Sequence, residues 1–327
     1  MTLALIQTAT ETRWRDSQEE RIHERLARLA DARLEPALGR PALSMPEEIR
    51  LRELEAKFLE RARAEVASQA AEAPSEAASF MKWYETLREN GPGQFDPLFD
   101  WIEKEATEED IRWFVFQELA GEAGFDDLVA LTQLRLPTRA KLELARNYWD
   151  EMGRGNEIAM HGPMLDGLVE VLGLTRESYP VVWEARAVGS VLLGLAANRH
   201  YAWHSIGALG AVELTAPDRA AAVNRGLERL GFDMKVRRYY AVHATVDVRH
   251  SREWNDEVIE PLVASDPRLA RPIAEGALMR LQAGARSFER YREHFGIQEP
   301  RGRCALSAPA TSIAGARREA QKSAARS

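Results

Sequence analysis

The feature that most constrains this chain is a recurrence of long helix-forming runs with no strand pattern between them. Residues 17–34 and 46–73 are rich in Ala, Leu, Glu and Arg, which have high helix propensity. Later runs open on typical helix starts, such as Thr107 before three acidic residues and Pro137 before Thr138. No alternation of β-branched residues extends beyond a few positions. The sequence therefore predicts an all-α protein.

The distribution of apolar residues predicts three regions. The first two helices carry narrow apolar stripes on a charged background, and these stripes are formed by Ile22, Leu26, Leu29, Leu51, Leu54 and Phe58. Aromatic residues become frequent only from Phe80 onward. We therefore expect a helical arm at residues 1–74, a main helical domain at 75–298 and a disordered, polar tail at 299–327. The stripes would pack on the main domain or form a homodimer with a second copy.

Charge and cysteine content exclude several classes of protein. The chain has 44 basic and 51 acidic residues and a net charge of −7, which argues against a general nucleic-acid binder. Its only cysteine, Cys304, excludes a disulfide within the chain, a cysteine-rich zinc site and a CxxC redox pair. No apolar run is long enough to span a membrane. We expect a cytoplasmic protein with neither a nucleic-acid nor a membrane partner.

The clearest chemical signal is a histidine-aspartate-histidine motif. His243, Asp247 and His250 are spaced i, i+4 and i+7, so they fall within about 60° of one another on one helix face. Alanine and valine neighbours indicate that this helix is partly buried. Two imidazoles and a carboxylate form half of a divalent metal site, and iron or manganese suits such mixed ligation. The alternative is a pair of core histidines hydrogen-bonded to an aspartate.

Candidate partners for this half-site lie on two other helices. Glu213 lies in the segment SIGALGAVELTA, where small and apolar neighbours predict burial and an unpaired carboxylate would be costly. Glu118 lies among aromatic residues, and Glu122 follows it one turn later. Glu213 therefore needs a cation, a metal or a proton as its partner. Taken singly, each of these acids could equally be a structural or salt-bridged residue.

A third segment offers a further carboxylate and histidine. Glu151 ends a predicted helix, and His161 follows ten residues later. On an unbroken helix these two side chains would point about 80° apart. Gly153 and Gly155 lie between them and allow a break that would turn His161 back toward Glu151. Together with the residues above, this pair completes the ligand inventory of a two-metal carboxylate site.

These motifs resemble the haem-oxygenase-like diiron oxidases and oxygenases, often described only as iron-containing redox enzymes. The resemblance covers residues 80–295 and implies a haem-oxygenase-like seven-helix bundle with an N-terminal helical extension. It also implies two non-haem irons with O2 as cosubstrate, and Glu213 as their bridging ligand. By this resemblance the iron ligands are Glu118, Glu151, His161, Glu213, His243, Asp247 and His250, with Glu122 as the alternative to Glu118.

The resemblance implies an O2-dependent oxygenase or oxidase acting on a small amine or amino-acid-like metabolite. N-oxygenation in a biosynthetic pathway is the first expectation, with electrons from an external donor because no flavin or iron–sulfur motif is present. The alternatives are desaturation, C–C cleavage or decarboxylation of an amino acid or fatty acid, and a non-catalytic helical binding protein. A substrate carboxylate would need an arginine, and the candidates near these motifs, each also readable as a surface residue, are Arg146, Arg199 and Arg249.

Two other histidine motifs are weaker candidates. Glu20 and His23 form the chain's one Glu-x-x-His motif, and their charged neighbours predict a solvated helix face. His200 and His204 are spaced i, i+4 and could bind a metal or a substrate. The competing interpretation of the second pair is core or interface histidines.

Overall fold

Helices and short helical turns make up most of the described part of this chain. A computed structural model describes residues 2–39, 41–122 and 124–298, together with their side chains except those of 2–15 and 122. No strand occurs within these ranges, which confirms the all-α prediction. The helices are α1 (Thr2–Leu34), α2 (Met45–Ala70), α3 (Ala77–Asn90), α4 (Pro97–Lys104), α5 (Glu108–Glu122), α6 (Phe125–Thr132), α7 (Thr138–Glu151), α8 (His161–Val171), α9 (Trp183–Ala197), α10 (Ala202–Arg229), α11 (Arg238–Trp254), α12 (Glu260–Ser265) and α13 (Ala270–Phe295).

Helices α9, α10 and α13 form the centre of the bundle. Gly207 on α10 and Gly276 on α13 permit the backbones of these two helices to touch. A Cβ atom at Gly207 would lie 1.9 Å from the carbonyl oxygen of Ile273, and one at Gly276 would lie 1.8 Å from that of His204. A side chain at either position would force the helices apart. This contact fixes the position of α10 in the core.

The core consists of two clusters that meet at one cavity. One is mainly aliphatic and includes Leu192 of α9. The other is largely aromatic and includes Phe114 of α5, Phe288 and Tyr291 of α13. Residues of both clusters line a cavity of about 110 Å³. The main chemical groups of the bundle lie around this cavity.

Helices α1 and α2 pack against α9 and α13 of the same chain. Their apolar stripes are therefore covered within the chain, since the following stripe residues are buried: Leu26, Leu29, Leu51 and Phe58. The predicted homodimer and the domain boundary at residue 75 remain predictions. The predicted tail at 299–327, with Cys304, lies outside the described residues. Within the described ranges, no helix combines the length and the apolarity that crossing a membrane requires.

The prediction of a solvated face at His23 was wrong. His23 is fully buried, and its ring stacks on Trp183 and meets Phe58 edge-on. Its Nδ1 atom lies 3.3 Å from Oγ of Ser190 on α9. Of its charged neighbours in the sequence, Glu19 one turn earlier shares this face, and its Oε2 lies 3.8 Å from Nε2 of His23. Charged residues near a histidine in sequence therefore did not predict exposure. Glu20 on the same helix is exposed, as expected.

Candidate metal centre

The seven predicted ligands come from five helices around the central cavity. Glu118 lies on α5, Glu151 at the end of α7, His161 at the start of α8, Glu213 on α10, and His243, Asp247 and His250 on α11. Four of them are 2–4% exposed: Glu151, Glu213, Asp247 and His250. Charged groups are rarely buried to this degree unless they are paired or bind a metal.

One cluster consists of Glu151, His161 and His243, whose ligand atoms lie within 4.8 Å of one another. Nδ1 of His161 is 2.5 Å from Oε2 of Glu151. The Nδ1–H of His243 donates to the backbone carbonyl of Tyr239 at 2.7 Å, which leaves its Nε2 with a lone pair. Burial and the neighbouring His161 lower the pKa of His243 to about 4. A neutral imidazole with a fixed tautomer is the form that binds a metal.

A second cluster consists of Glu151, Glu213 and His250, again with ligand atoms within 4.8 Å of one another. Nδ1 of His250 lies 3.7 Å from Oε1 of Glu213, 3.9 Å from Oε1 of Glu151 and 4.0 Å from Oδ1 of Asp247. It has no hydrogen-bond partner among the described residues. These separations are too long for hydrogen bonds. They match ligand atoms that share one ion at bonds of about 2.1 Å, so this donor set fits a divalent metal.

The electrostatics of the second cluster suit a divalent cation. Burial and the nearby Glu151 raise the pKa of Glu213, although His250 and Asn147 oppose this. Burial alone would lower the pKa of His250, but Glu213, Asp150 and Glu151 outweigh it and raise that pKa to about 9. Two buried carboxylates thus compete for the proton of one imidazole. A divalent cation would satisfy both carboxylates and the imidazole.

A break after α7 brings His161 back to Glu151. Gly153, Arg154 and Gly155 all have positive φ angles, of 61°, 54° and 82°. A Cβ atom at Gly153 would lie 2.5 Å from the carbonyl carbon of Ala159, so only glycine fits there. The two glycines therefore reverse the chain, as their position in the sequence predicted. The tight turn makes Glu151 and His161 neighbours despite the nine residues between them.

The structure places two of the predicted ligands outside these clusters. Asp247 and Glu118 line the same cavity as Glu151, Glu213 and His243. Neither of the two belongs to the three-residue clusters found among the described residues. Asp247 is next to the second cluster through its 4.0 Å approach to His250. The side chain of Glu122, the alternative to Glu118, lies outside the described residues.

Two residues that support the ligands were missed by the sequence analysis. Oδ2 of Asp150 lies 3.1 Å from Nε2 of His250, on the side of the ring away from the cluster. The amide Nδ2 of Asn147 donates to Oε1 of Glu213 at 2.6 Å. Metal-bound histidines and carboxylates commonly have such partners. A signal did exist, because Asn147 precedes Glu151 by one helical turn and therefore shares its face.

The arginines that line the cavity are not those proposed from the sequence. They are Arg219 of α10 and Arg280 of α13. The guanidinium of Arg219 donates to Oγ1 of Thr215 at 3.0 Å and lies 5.5 Å from the centre of the Phe288 ring. Nη1 of Arg280 would be 2.6 Å from a Cβ atom at Gly284, so this glycine leaves room for the guanidinium.

The three arginines proposed from the sequence have other partners. Arg146 pairs with Glu143 and its side chain is 67% exposed. Arg199 donates to the backbone carbonyls of residues 131, 132 and 134, and Arg249 pairs with Asp150. None of the three lines the cavity. Proximity to a motif in sequence did not predict which helix face meets the cavity.

The remaining histidine pair lies apart from both clusters. His204 is buried, and its Nε2 lies 3.2 Å from Oε2 of Glu275 on α13. His200 is exposed at the short 3₁₀ turn before α10. Neither occurs in a metal-like cluster of the described residues. The interpretation of His204 as a core histidine is the one that its surroundings support.

Comparison with known proteins identifies the family of this chain. A sequence model described as "Iron-containing redox enzyme" matches residues 112–285, more than half of the chain. The chain belongs to the iron-containing redox enzyme family. The matched segment contains all seven predicted ligands, the cavity arginines Arg219 and Arg280, and the supporting residues Asn147 and Asp150.

The fold of this iron-containing redox enzyme is also found in a solved structure. It is similar to the crystal structure of a CADD-like protein of unknown function from Nostoc punctiforme, with a TM-score of 0.52 and 18% identity. The similarity covers 65% of this chain and 95% of that chain. At this identity the likeness concerns the fold alone. It agrees with the expected haem-oxygenase-like bundle. No curated protein sequence matches the chain significantly.

Proposed function

We propose that this protein is a non-haem diiron, O2-dependent oxygenase or oxidase of a small amine or amino-acid-like metabolite. Membership of the family supports iron and redox chemistry. The proposal of two metals rests on two three-residue clusters that share Glu151. Two adjacent sites with a common carboxylate are the arrangement that a two-metal centre needs.

Each three-residue cluster would hold one of the two proposed irons. Glu151, His161 and His243 would hold one iron, and Glu151, Glu213 and His250 the other, with Asp247 adjacent to the second. Glu151 rather than Glu213 is then the bridging candidate, because it alone belongs to both clusters. Bound iron would supply the ability to reduce O2, which amino-acid side chains lack.

The chain's own residues orient the ligands around these sites. Asp150 holds the ring of His250, Asn147 holds the carboxylate of Glu213, and the Tyr239 carbonyl fixes the tautomer of His243. Such partners keep each lone pair directed at the metal and raise ligand basicity. Aromatic residues that line the cavity, among them Phe114 and Phe288, would limit the access of water to the reacting groups.

The size and polarity of the cavity support a small anionic or zwitterionic substrate. Its volume of about 110 Å³ is smaller than the roughly 150 Å³ that holds benzene in an engineered cavity. This favours a small metabolite over a fatty acid. Arg219 and Arg280 line the same cavity as the ligands, and a guanidinium binds a carboxylate through paired hydrogen bonds. An amino acid would thus place its carboxylate at the arginines.

N-oxygenation is the reaction that we propose first. One oxygen atom of O2 would enter an N–H bond of the amine and the other would leave as water. Two electrons and two protons from outside complete the balance, so an external electron donor is required. Desaturation, C–C cleavage and decarboxylation of the same substrate class are the alternative outcomes. A structural metal in a non-catalytic protein is the third possibility.

The test is anaerobic reconstitution of the full chain with Fe(II), followed by exposure to O2 with a panel of free amino acids and amines. We expect about two irons per chain and substrate-dependent consumption of O2. Mass spectrometry of the products distinguishes the outcomes, because N-oxygenation adds one oxygen atom whereas desaturation removes two hydrogens. Iron binding without any substrate-dependent O2 consumption across the panel would contradict the proposed enzyme.

Variants connect this chemistry to the two clusters. Substitution of His243 or His250 by alanine is expected to lower iron occupancy and abolish O2 consumption. His200→Ala is the matched control, because His200 is exposed and outside both clusters. Full iron loading of both ligand variants would exclude α11 as the ligand helix. Arg280→Gln should raise KM for an amino acid more than for the amine that lacks its carboxylate.

A further inference from the structure

A second, larger cleft lies on the other side of α9 and α13. Its volume is about 1080 Å³, and α1 and α2 form its remaining walls. On α9, Val188 faces the metal-site cavity whereas Ala187 and Val191 face the cleft. On α13, Arg280 faces the cavity whereas Met279 faces the cleft. The two helices thus separate two distinct spaces, and nothing in the proposed reaction uses the second.

Two buried polar side chains line this cleft, and each has an atom without a hydrogen bond among the described residues. Nε2 of His23 lies 3.8 Å from Oε2 of Glu19, too far for a hydrogen bond. His23 is 0% exposed and Glu184 is 9% exposed. Neither Nε2 of His23 nor Oε2 of Glu184 makes a hydrogen bond to any residue that the structure describes. Burial raises the pKa of Glu184 to about 7. Asp16 and Glu293 add to this rise and Arg290 opposes it without outweighing burial, so the carboxylate is poorly compensated.

The tautomer of His23 shows that its Nε2 is a hydrogen-bond acceptor, as is Oε2 of Glu184. The hydroxyl of Ser190 donates its proton to the carbonyl of Arg186 at 2.8 Å, so its oxygen is an acceptor toward Nδ1 of His23 at 3.3 Å. Nδ1 therefore carries the proton, and Nε2 carries a lone pair. The carboxylate oxygen of Glu184 is also an acceptor. A ligand that satisfies both atoms must donate hydrogen bonds.

The net charge of the cleft favours a hydrogen-bond donor that is also positively charged. Seven acidic and three arginine side chains of the described residues line it. The arginines are engaged with acids: Arg61 with Glu19 at 2.7 Å, Arg286 with Glu65 at 2.6 Å, and Arg290 near Glu293 at 3.9 Å. Glu184 is among the acids left over. The net negative potential favours a positively charged ligand.

The inner wall of the cleft is apolar. Phe58, Trp183, Val191 and Met279 line the same cleft as His23 and Glu184. Trp183 and Phe58 also contact the ring of His23, so the acceptor atom of His23 lies between aromatic surfaces. Aromatic faces attract organic cations as well as hydrocarbon chains. This wall suits the carbon skeleton of an amine better than a hydrated inorganic ion.

We propose that this cleft is a binding site for an organic amine cation, whose ammonium group donates hydrogen bonds to Glu184 and to Nε2 of His23. Its carbon chain would lie along the apolar wall near Trp183. The site is separate from the metal centre, and the proposal does not depend on the proposed oxygenase reaction.

The test uses the full-length, metal-free protein and three six-carbon probes: hexylamine, hexan-1-ol and hexanoate. Isothermal titration calorimetry is expected to show one hexylamine per chain, bound at least tenfold more tightly than either of the others. Titrations at pH 7 in two buffers of different ionisation enthalpy should also show proton release, because an ammonium favours the charged form of Glu184. Equal affinity for hexylamine and hexanol would overturn the proposal.

Variants locate the binding. Glu184→Gln should weaken hexylamine binding at least tenfold and remove the proton release, while it leaves iron stoichiometry unchanged. Glu289→Gln is the matched control, since this exposed rim residue lines the same cleft and should change affinity less than threefold. His23→Phe removes the second acceptor and provides an independent variant. Wild-type affinity and proton release in both Glu184→Gln and His23→Phe would refute this site.

Discussion

Nε2 of His250 lies 3.1 Å from Oδ2 of Asp150, while Nδ1 of the same ring faces the carboxylates of the second cluster. The carboxylate of Asp150 thus determines which nitrogen of His250 is available to a metal. Asp150 is held in turn by Arg154 and Arg249. Burial would raise the pKa of Asp150, but the hydrogen bonds from Arg154, His250 and Arg249 keep it well below its usual range.

The first prediction concerns this pair. Asp150→Asn removes the charge that orients and polarises His250, so Fe(II) affinity at the second cluster should fall by about 10–100-fold. An anaerobic Fe(II) titration measures this, and the first cluster should keep its affinity. Arg146→Gln on the same helix is the control, because Arg146 pairs with Glu143 and its side chain is 67% exposed. Unchanged affinity in Asp150→Asn would show that Asp150 does not support His250.

The second prediction concerns the turn between Glu151 and His161. Gly153→Ala would place a Cβ atom 2.5 Å from Ala159 in a residue whose φ is +61°. The left-handed conformation alone costs about 1–2 kcal/mol for a residue with a side chain, and the clash adds to it. We expect a lower melting temperature and weaker iron binding at the first cluster.

Gly162→Ala is the matched control for that turn. Gly162 follows His161 directly, yet a Cβ atom there would have nothing within 4 Å. Because it lies in helix α8, alanine should be neutral or stabilising by up to about 1 kcal/mol. Equal melting temperatures of the two variants would contradict the tight turn.

The third prediction concerns the contact of α10 with α13. Gly207→Ala and Gly276→Ala would each drive a Cβ atom to within 2 Å of a backbone oxygen. The helices would have to separate, so each substitution should lower the free energy of unfolding by about 1–3 kcal/mol or more. Gly167→Ala on the exposed face of α8 has open space and serves as the control. Denaturant unfolding measures these changes. Wild-type stability of Gly207→Ala and Gly276→Ala would show that the helices do not touch there.

The fourth prediction concerns the response of this turn to iron. Residues 153–160 consist of two short 3₁₀ turns that are mostly exposed, and Ile158 is 74% exposed. Segments with so few buried contacts open more easily than core helices. Backbone amides of this segment should exchange faster without Fe(II) than with it, whereas those of α10 should not change. Equal, high protection with and without Fe(II) would indicate a rigid, preformed site instead.

The fifth prediction concerns pH and the metal-free protein. The pKa of His250 in the folded state is about 9, above its ordinary value of 6.5. The stability from its protonated form is complete below pH 6.5 and is lost as the pH rises through about 9. Urea unfolding should therefore show lower stability at pH 9 than at pH 6.5. His250→Gln should reduce this loss of stability between pH 6.5 and pH 9. A loss equal to that of the wild type would show that another group causes it.

Several features of the fold and site were predictable because they are local. Helix-forming composition predicted the all-α class, and the i, i+4, i+7 spacing placed His243, Asp247 and His250 on one face of α11. The two glycines predicted the break before His161. Each of these inferences needs only backbone geometry over one or a few helical turns.

Other features depend on which helix faces pack together, and the local sequence pattern does not predict this packing. The charged neighbours of His23 pointed to solvent, but α9 and α2 cover its face. Arg249 lies beside a ligand in the sequence yet turns outward to Asp150, while Arg280, far away in the sequence, lines the cavity. Residues one position apart on a helix differ by about 100° in direction, so nearness in sequence does not place a side chain in a site.

The sequence by itself therefore determined the helical class of this protein and the ligand types on α11, because periodicity and composition act over a few residues. Only the tertiary structure decided that Glu151 belongs to both clusters, that Asp150 and Asn147 support the ligands, and that α9 and α13 separate two cavities. These arrangements arise from long-range packing, in which glycine contacts such as Gly207 against Ile273 set the distance between helices. That distance depends on both helices at once and cannot be read from either alone.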